Sequence, residues 1–131
     1  MPLVAKDLVF RHPGSSVPTL DGLALQLSPG GVLALCGAAR SGRSTALALL
    51  AGLMAPQSGS VVVDGVPALA HEARGRVGLL LQNADEGLFG LTVREDVLFA
   101  PRQLNMPDDE AHRRVDEALR AVELEPRSFG R

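Results

Sequence analysis

The chain has 131 residues, enough for one domain-sized unit and too few for two. Its 13 basic and 15 acidic side chains leave a formal charge of −2, so no basic field exists to draw in nucleic acid or an anionic membrane surface, and nucleic acid is excluded as a partner. Trp and Tyr are absent and only four Phe are present, which removes the stacked-aromatic platforms of single-strand binders.

With 46% apolar and 21% charged residues the composition is that of a globular chain with an aliphatic core. A single cysteine, Cys36, excludes an internal disulfide and a multi-cysteine metal site and fits a reducing compartment. The longest apolar stretch, Ala46 to Ala55, falls short of the roughly 20 residues a membrane-spanning helix needs. Lys6, Asp7 and Arg11 interrupt what would be the apolar core of an export signal. The expectation is a cytoplasmic chain without a span or a leader.

In chain order, "LVAKDLVF" (Leu3 to Phe10) reads as an irregular, short edge strand, closed by a turn over Pro13 to Ser16. "LALQL" alternates as a second strand, and Pro29, Gly30 and Gly31 break the chain after it. Val32 to Cys36 is apolar at every position, the mark of a strand buried on both faces, and it leads through a glycine loop into the helical run "ALALLAGLMA". "SVVVDGV" is a β-branched strand ended by an Asp64-Gly65 hairpin turn. Val77 to Leu81 is a second doubly buried strand that places Gln82 at its end, with the polar loop "NADEG" behind it. Thr92 with Glu95 three residues on has the spacing of a capping box, so a short helix is predicted there, stopped by Pro101. A last amphipathic helix carries the stripe Ala111, Val115, Leu119, Val122. No internal repeat or linker interrupts this order, and the whole predicts a mixed α/β unit.

The chemistry lies in the glycine loop. Gly37 and Gly42 bracket four residues and are followed by Arg43, Ser44 and Thr45, which is G-x-x-x-x-G-K-[ST] with arginine in the lysine position. Such a loop turns backbone N–H groups and a helix N-terminus toward phosphate oxygens, while the hydroxyl after the cation, here Ser44, holds Mg²⁺. The other reading is a plain glycine-rich turn between strand and helix. A dinucleotide fingerprint is not met, because Ala39 stands where its second glycine is required. "VVVD" at Val61 to Asp64 imitates a metal-binding strand, but Gly65 follows it in place of a glutamate, so a turn is expected. His71, His112 and Cys36 show no spacing that converges on a metal, and Asp85, Glu86 and the carboxylates of the last helix read as solvated surface.

Three stretches, "LVFRHPG", "GAARSGRSTALALLAGLMAPQSGSVVVDG" and "VGLLLQNADEGLFGLTVREDVLFAPRQL", resemble the N-terminal half of an ATP-binding cassette domain, most closely in the energy-coupling-factor importers of cobalt and vitamin type. The fold implied is an α/β P-loop NTPase core, truncated, with an antiparallel β part and the start of a helical subdomain. On that resemblance residues 1–131 form a partial cassette domain, with the β part and P-loop core over 1–82 and the Q-loop and the start of the helical subdomain over 83–131. The cofactors implied are ATP and Mg²⁺. The backbone from Ala39 to Thr45, through Arg40, Ser41, Gly42, Arg43 and Ser44, would wrap the β-phosphate, with Thr45 near the α-phosphate and Gly37 opening the loop. Gln82 would reach Mg²⁺ and the attacking water, and His12 takes the place of the aromatic that stacks on adenine. The partners implied are a transmembrane transporter subunit and a second ATP-binding subunit, with the protein peripheral at the inner face of the cell membrane.

The sequence departs from the family at Arg43 for lysine and at Arg40 for glycine, and the family's LSGGQ signature, Walker B glutamate and switch histidine do not occur in these 131 residues. Arg43 is a poor substitute for a compact ammonium between β- and γ-phosphates. Arg40 is the milder change if its backbone angles are ordinary. Two functions follow: the nucleotide-binding part of an importer ATPase, or a non-catalytic cassette-like interaction module or inactive fragment. Leu88, Phe89 and Leu91, within Asn83 to Phe99, either form part of a docking surface for the membrane subunit or plug the base of the following helix.

Overall fold

The computed structural model describes residues 1–83 and 87–124. The chain forms two compact units, Met1–Leu79 and Leu80–Arg131. The loop expected around Asp85 and Glu86 lies outside the described residues.

The first unit is built on a four-stranded antiparallel sheet of β1 (Leu3–Phe10), β2 (Leu20–Leu27), β3 (Ser58–Val63) and β4 (Val66–Pro67) in the order β2-β1-β3-β4. β1 is therefore an inner strand, not the edge its irregular pattern suggested. The irregularity comes from register shifts, between Ala5 and Leu8 against β2 and between Lys6 and Val9 against β3, with Asp7 at φ 47° between them. A bulge breaks the two-residue alternation without moving a strand to the edge. β3 and β4 are joined by Asp64 and Gly65 at φ 52° and 78°, the doubly positive turn that matches the twist of a two-residue hairpin. Asp64 pairs with Arg76 at 3.2 Å, so its carboxylate serves the turn and its neighbour.

Helix α1 (Arg43–Leu50) buries Ala46, Leu49 and Leu50, spaced three and four apart, in one core with Ala5, Leu8, Leu20, Val61 and Val63 of the sheet. Leu8 and Leu49 are fully enclosed, each contributing about 1.5–3 kcal/mol of transfer free energy. The helix closes on a Schellman motif, in which Leu53 N–H donates to Ala48 C=O at 2.9 Å and Gly52 N–H to Leu49 C=O at 3.0 Å.

Neither doubly buried strand expected from the sequence is formed. Val32 to Cys36 carries no ladder, and only Leu35 reaches the core while Val32 is 97% exposed. Val77 packs on the same core, but Leu80 is 90% exposed and Val77 to Leu81 also lacks a ladder. An all-apolar run states a need for neighbours on both sides and both faces, and no described strand lies beside either segment to meet it.

In the second unit α2 (Val93–Gln103) and α3 (Asp108–Ala121) enclose Leu98, Ala111, Val115 and Leu119. Thr92 caps α2, its hydroxyl accepting from Glu95 N–H at 3.2 Å. Pro101 lies inside α2 and does not stop it. It forfeits one backbone bond near the helix end, and the chain closes just beyond it through Leu104 N–H to Ala100 C=O and Met106 N–H to Pro101 C=O. On α3 the stripe holds for Ala111, Val115 and Leu119, whereas Val122 falls past the last helical turn and is exposed. Arg94 of α2 donates to the carboxylate of Asp116 of α3. That hydrogen bond, working against partial desolvation and aided by the charges of Arg94, Arg120 and His112, holds the Asp116 carboxyl below the usual carboxylate range. No helix among the described residues is long and apolar enough to cross a membrane.

Candidate phosphate-binding site

The glycine loop and the first turn of α1 form one wall of a cavity of about 340 Å³ in the first unit. Arg40, Ser41, Gly42, Arg43, Ser44 and Thr45 line it together with His12 and Thr19 from the β1–β2 loop. Gly37 and Ala39 do not line it.

Gly42 sets the geometry. It stands at the N-cap of α1 with φ 86°, and a Cβ there would lie 2.9 Å from the Thr19 carbonyl oxygen. Only glycine fits both constraints, so the loop can rest directly on the β1–β2 connection. At Gly37 an added Cβ would come within 2.6 Å of the Ser41 hydroxyl and 3.2 Å of its Cβ, so the Ser41 side chain would have to shift. Past Gly42 the first intrahelical bond is Ala46 N–H to Gly42 C=O at 2.8 Å, and no acidic side chain stands in the first turn. The amides of that turn have no intrahelical acceptor and carry the positive end of the helix dipole.

Arg40 stands at φ 64°, in the left-handed region, so its angles are not ordinary. Holding a residue with a Cβ there costs about 1–2 kcal/mol, a strain that the family's glycine would not carry. Arg40 and Arg43 both reach the cavity, and neither makes a salt bridge or side-chain hydrogen bond with another described residue. Among the described residues no carboxylate lines the cavity. The lining is thus two guanidiniums, four hydroxyls and a helix N-terminus, an anion-binding set.

His12 closes the other wall. Its Nε2 lies 3.2 Å from Thr45 Oγ1, and its ring meets Phe10 edge-on at a centroid distance of 5.0 Å. Thr19, absent from any motif, is brought here by the pairing of Phe10 with Leu20, and its N–H donates to Phe10 C=O at 2.7 Å. No local sequence signal marks it, because the contact depends on the hairpin geometry. Gln82 belongs to the second unit and is exposed.

The donor set suits a polyphosphate. Among the described residues no group of three or more His, Cys, Asp and Glu is placed to hold a metal by protein ligands alone. Ser44 lines the cavity, and its hydroxyl is a hard oxygen donor, the ligand type that Mg²⁺ accepts in general.

Residues 20–129 match the ABC transporter family. The chain belongs to that family. It is 43% identical over 128 residues to a cobalt import ATP-binding protein of Rhodobacter capsulatus, covering 93% of this chain and 45% of that protein. It is 38% identical over 125 residues to an energy-coupling factor transporter ATP-binding protein of Methanocaldococcus jannaschii, covering 92% and 44%. The ABC chain therefore spans about half the length of the curated relatives it matches. Among solved structures, cbiO1 of Clostridium perfringens, part of the ABC transporter complex cbiONQ, superposes with a TM-score of 0.76 at 28% identity over 94% of this chain and 51% of that one. A second ATP-binding cassette, solved as a dimer with ADP and Pi, superposes with a TM-score of 0.74 at 24% identity and supports the fold alone. The architecture is that of an ATP-binding cassette's α/β P-loop core, with its antiparallel β part and the opening helices of the second unit.

Proposed function

We propose that this chain is the nucleotide-binding part of an importer ATPase of the energy-coupling-factor type, holding ATP with Mg²⁺ in the cavity between His12 and α1. The observation that carries the reading is the cavity itself, lined by Arg40 to Thr45 on a glycine-dependent turn, with no carboxylate among the described residues that line it. In this reading the loop from Ala39 to Thr45 wraps the β-phosphate, its donors being the amides other than that of Ser41, which the Ala38 carbonyl holds, while the Thr45 side stands by the α-phosphate and His12 offers its ring to the adenine. Ser44 and Gln82 are the residues that would hold Mg²⁺, and Gln82 would orient the attacking water. When bound, Mg²⁺ supplies charge neutralisation on the transferring phosphoryl group. The partners are a transmembrane transporter subunit and a second ATP-binding subunit, and the protein sits peripherally at the cytoplasmic face of the membrane. The domain is partial over residues 1–131, with the P-loop core in 1–82 and the start of the helical subdomain in 83–131.

A second reading, a cassette-like module that contacts its partner without turning nucleotide over, is favoured by one residue. Arg43 places a planar fork where a lysine point charge bridges β- and γ-phosphates, and a guanidinium does not reproduce that contact. Isothermal titration with MgATP tests the proposal. The unaltered chain is expected to bind weakly and Arg43→Lys about tenfold more tightly, the worth of one charge-assisted hydrogen bond. Absence of binding by both forms refutes the nucleotide reading, and tight binding by the unaltered chain with no gain in the variant refutes the role given to Arg43.

A further inference from the structure

We infer that Arg40 lets this cavity hold the triphosphate with or without its metal, so that nucleotide binding depends far less on Mg²⁺ than a P-loop with a single cation would require. The inference rests on the nucleotide reading of the same cavity. The P-loop pattern carries one cation, at the position after its second glycine. Here that position is filled by Arg43, and Arg40 adds a second cation three residues earlier on the same wall. Among the described residues no carboxylate lines the cavity and no side chain engages either guanidinium. The loop holds Arg40 at φ 64°, where glycine would sit without strain. The strained residue is the one that adds a charge to the wall.

Charge accounting gives the ligand. A metal-free triphosphate carries two more negative charges than its Mg²⁺ complex, and Mg²⁺ serves to cancel them. A guanidinium presents paired N–H donors that match two phosphate oxygens at once, so it can cancel charge and make hydrogen bonds at the oxygens the metal would otherwise occupy. Two such forks supply the two positive charges that Mg²⁺ would otherwise supply, and four hydroxyls and the first-turn amides of α1 add donors to them, so the free polyanion is held without the metal.

The experiment is isothermal titration of the full 131-residue chain with ATP, once in excess EDTA and once in excess Mg²⁺, repeated with Arg40→Gly and Arg40→Gln. The glycine variant relieves the backbone, and the glutamine variant keeps a Cβ and a long polar side chain while removing the charge. The unaltered chain is expected to bind ATP in EDTA within about threefold of its affinity in Mg²⁺ or more tightly, and both variants are expected to lose about tenfold in EDTA with a smaller change in Mg²⁺. If the unaltered chain binds in Mg²⁺ and loses more than tenfold in EDTA, or if the variants weaken both conditions equally, the inference about Arg40 is overturned and the nucleotide reading stands. Absence of binding in either condition overturns the nucleotide reading and the inference with it.

Discussion

Replacing Gly42 by alanine measures how far the cavity depends on the contact between the glycine loop and the β1–β2 connection. Two costs add. The backbone stands at φ 86°, where a Cβ is unfavourable by about 1–2 kcal/mol. The new Cβ would lie 2.9 Å from the Thr19 carbonyl oxygen, 3.0 Å from its Cγ2 and 3.1 Å from Leu20 Cδ2. Two of these atoms belong to the side chains of Thr19 and Leu20, which could rotate, but the carbonyl is anchored by the Thr19 N–H to Phe10 C=O bond beside it, so β2 or α1 must shift, at about 1–3 kcal/mol. The total expected loss is about 2–5 kcal/mol, which at a urea m-value of about 1–3 kcal/mol/M moves the unfolding midpoint of the first unit by roughly 1 M or more. The comparison is Gly78→Ala, where no atom lies within 4 Å of the added Cβ and the backbone is not left-handed. That change is expected to be neutral or stabilising by about 0.4–1 kcal/mol. Urea unfolding followed by circular dichroism reads both, and equal midpoints for the two variants would refute the packing account of the loop.

Phe89 and Leu91 are exposed, Phe89 meeting only the Phe99 ring edge-on at 4.5 Å among the described rings, and Leu98 fills the core of the second unit, so Phe89→Ser is expected to leave the fold and nucleotide affinity unchanged while lowering retention on a transporter membrane subunit, the partner proposed above, in a pull-down; loss of soluble protein would return Phe89 to the core. The exposed Val32, Leu80 and Leu91 predict that the chain binds a hydrophobic-surface dye at neutral pH, and a flat fluorescence titration would contradict the exposure described. For Asp116 the folded-state value lies below the unfolded one, so the stability it contributes is present above about pH 4 and is lost as pH falls through the lowered folded value. Acid titration of α2–α3 helicity should show that step, and Asp116→Asn should abolish it; identical acid profiles would show that the pair with Arg94 contributes nothing.

What was legible in the sequence was what neighbouring residues decide among themselves. The Asp64-Gly65 turn, the Thr92 cap and the stripe of Ala111, Val115 and Leu119 are local agreements between residue type and backbone, and each is found where its pattern placed it. The loop from Gly37 to Thr45 was legible for the same reason. Elements whose form depends on distant partners were not. β1 lies inside the sheet because β3, about fifty residues on, pairs with its free side, and no feature of "LVAKDLVF" announces that. Val32 to Cys36 has the composition of a central strand, but composition gives only the demand for neighbours. Thr19 enters the cavity through a hairpin register, and the left-handed angle of Arg40 is a property of the loop that a residue name does not carry.

The placement of the departures separates binding from turnover. Gly37 and Gly42 are the loop positions where an added Cβ would strike Ser41 Oγ and the Thr19 carbonyl, and glycine stands at both. Arg43 differs from the family pattern in its side chain alone, whereas Arg40 puts a Cβ and a charge where that pattern has glycine, at φ 64°. In the proposed reading the first-turn amides of α1 and the positive charge that would hold a phosphate are present, while a guanidinium stands where the pattern has the ammonium that bridges the β- and γ-phosphates. Binding needs the first set, and phosphoryl transfer needs the second as well. The strain at Arg40 fits the same division, because a local rule broken at a ligand site and nowhere compensated by a protein partner is what a residue aimed at a polyanion would show.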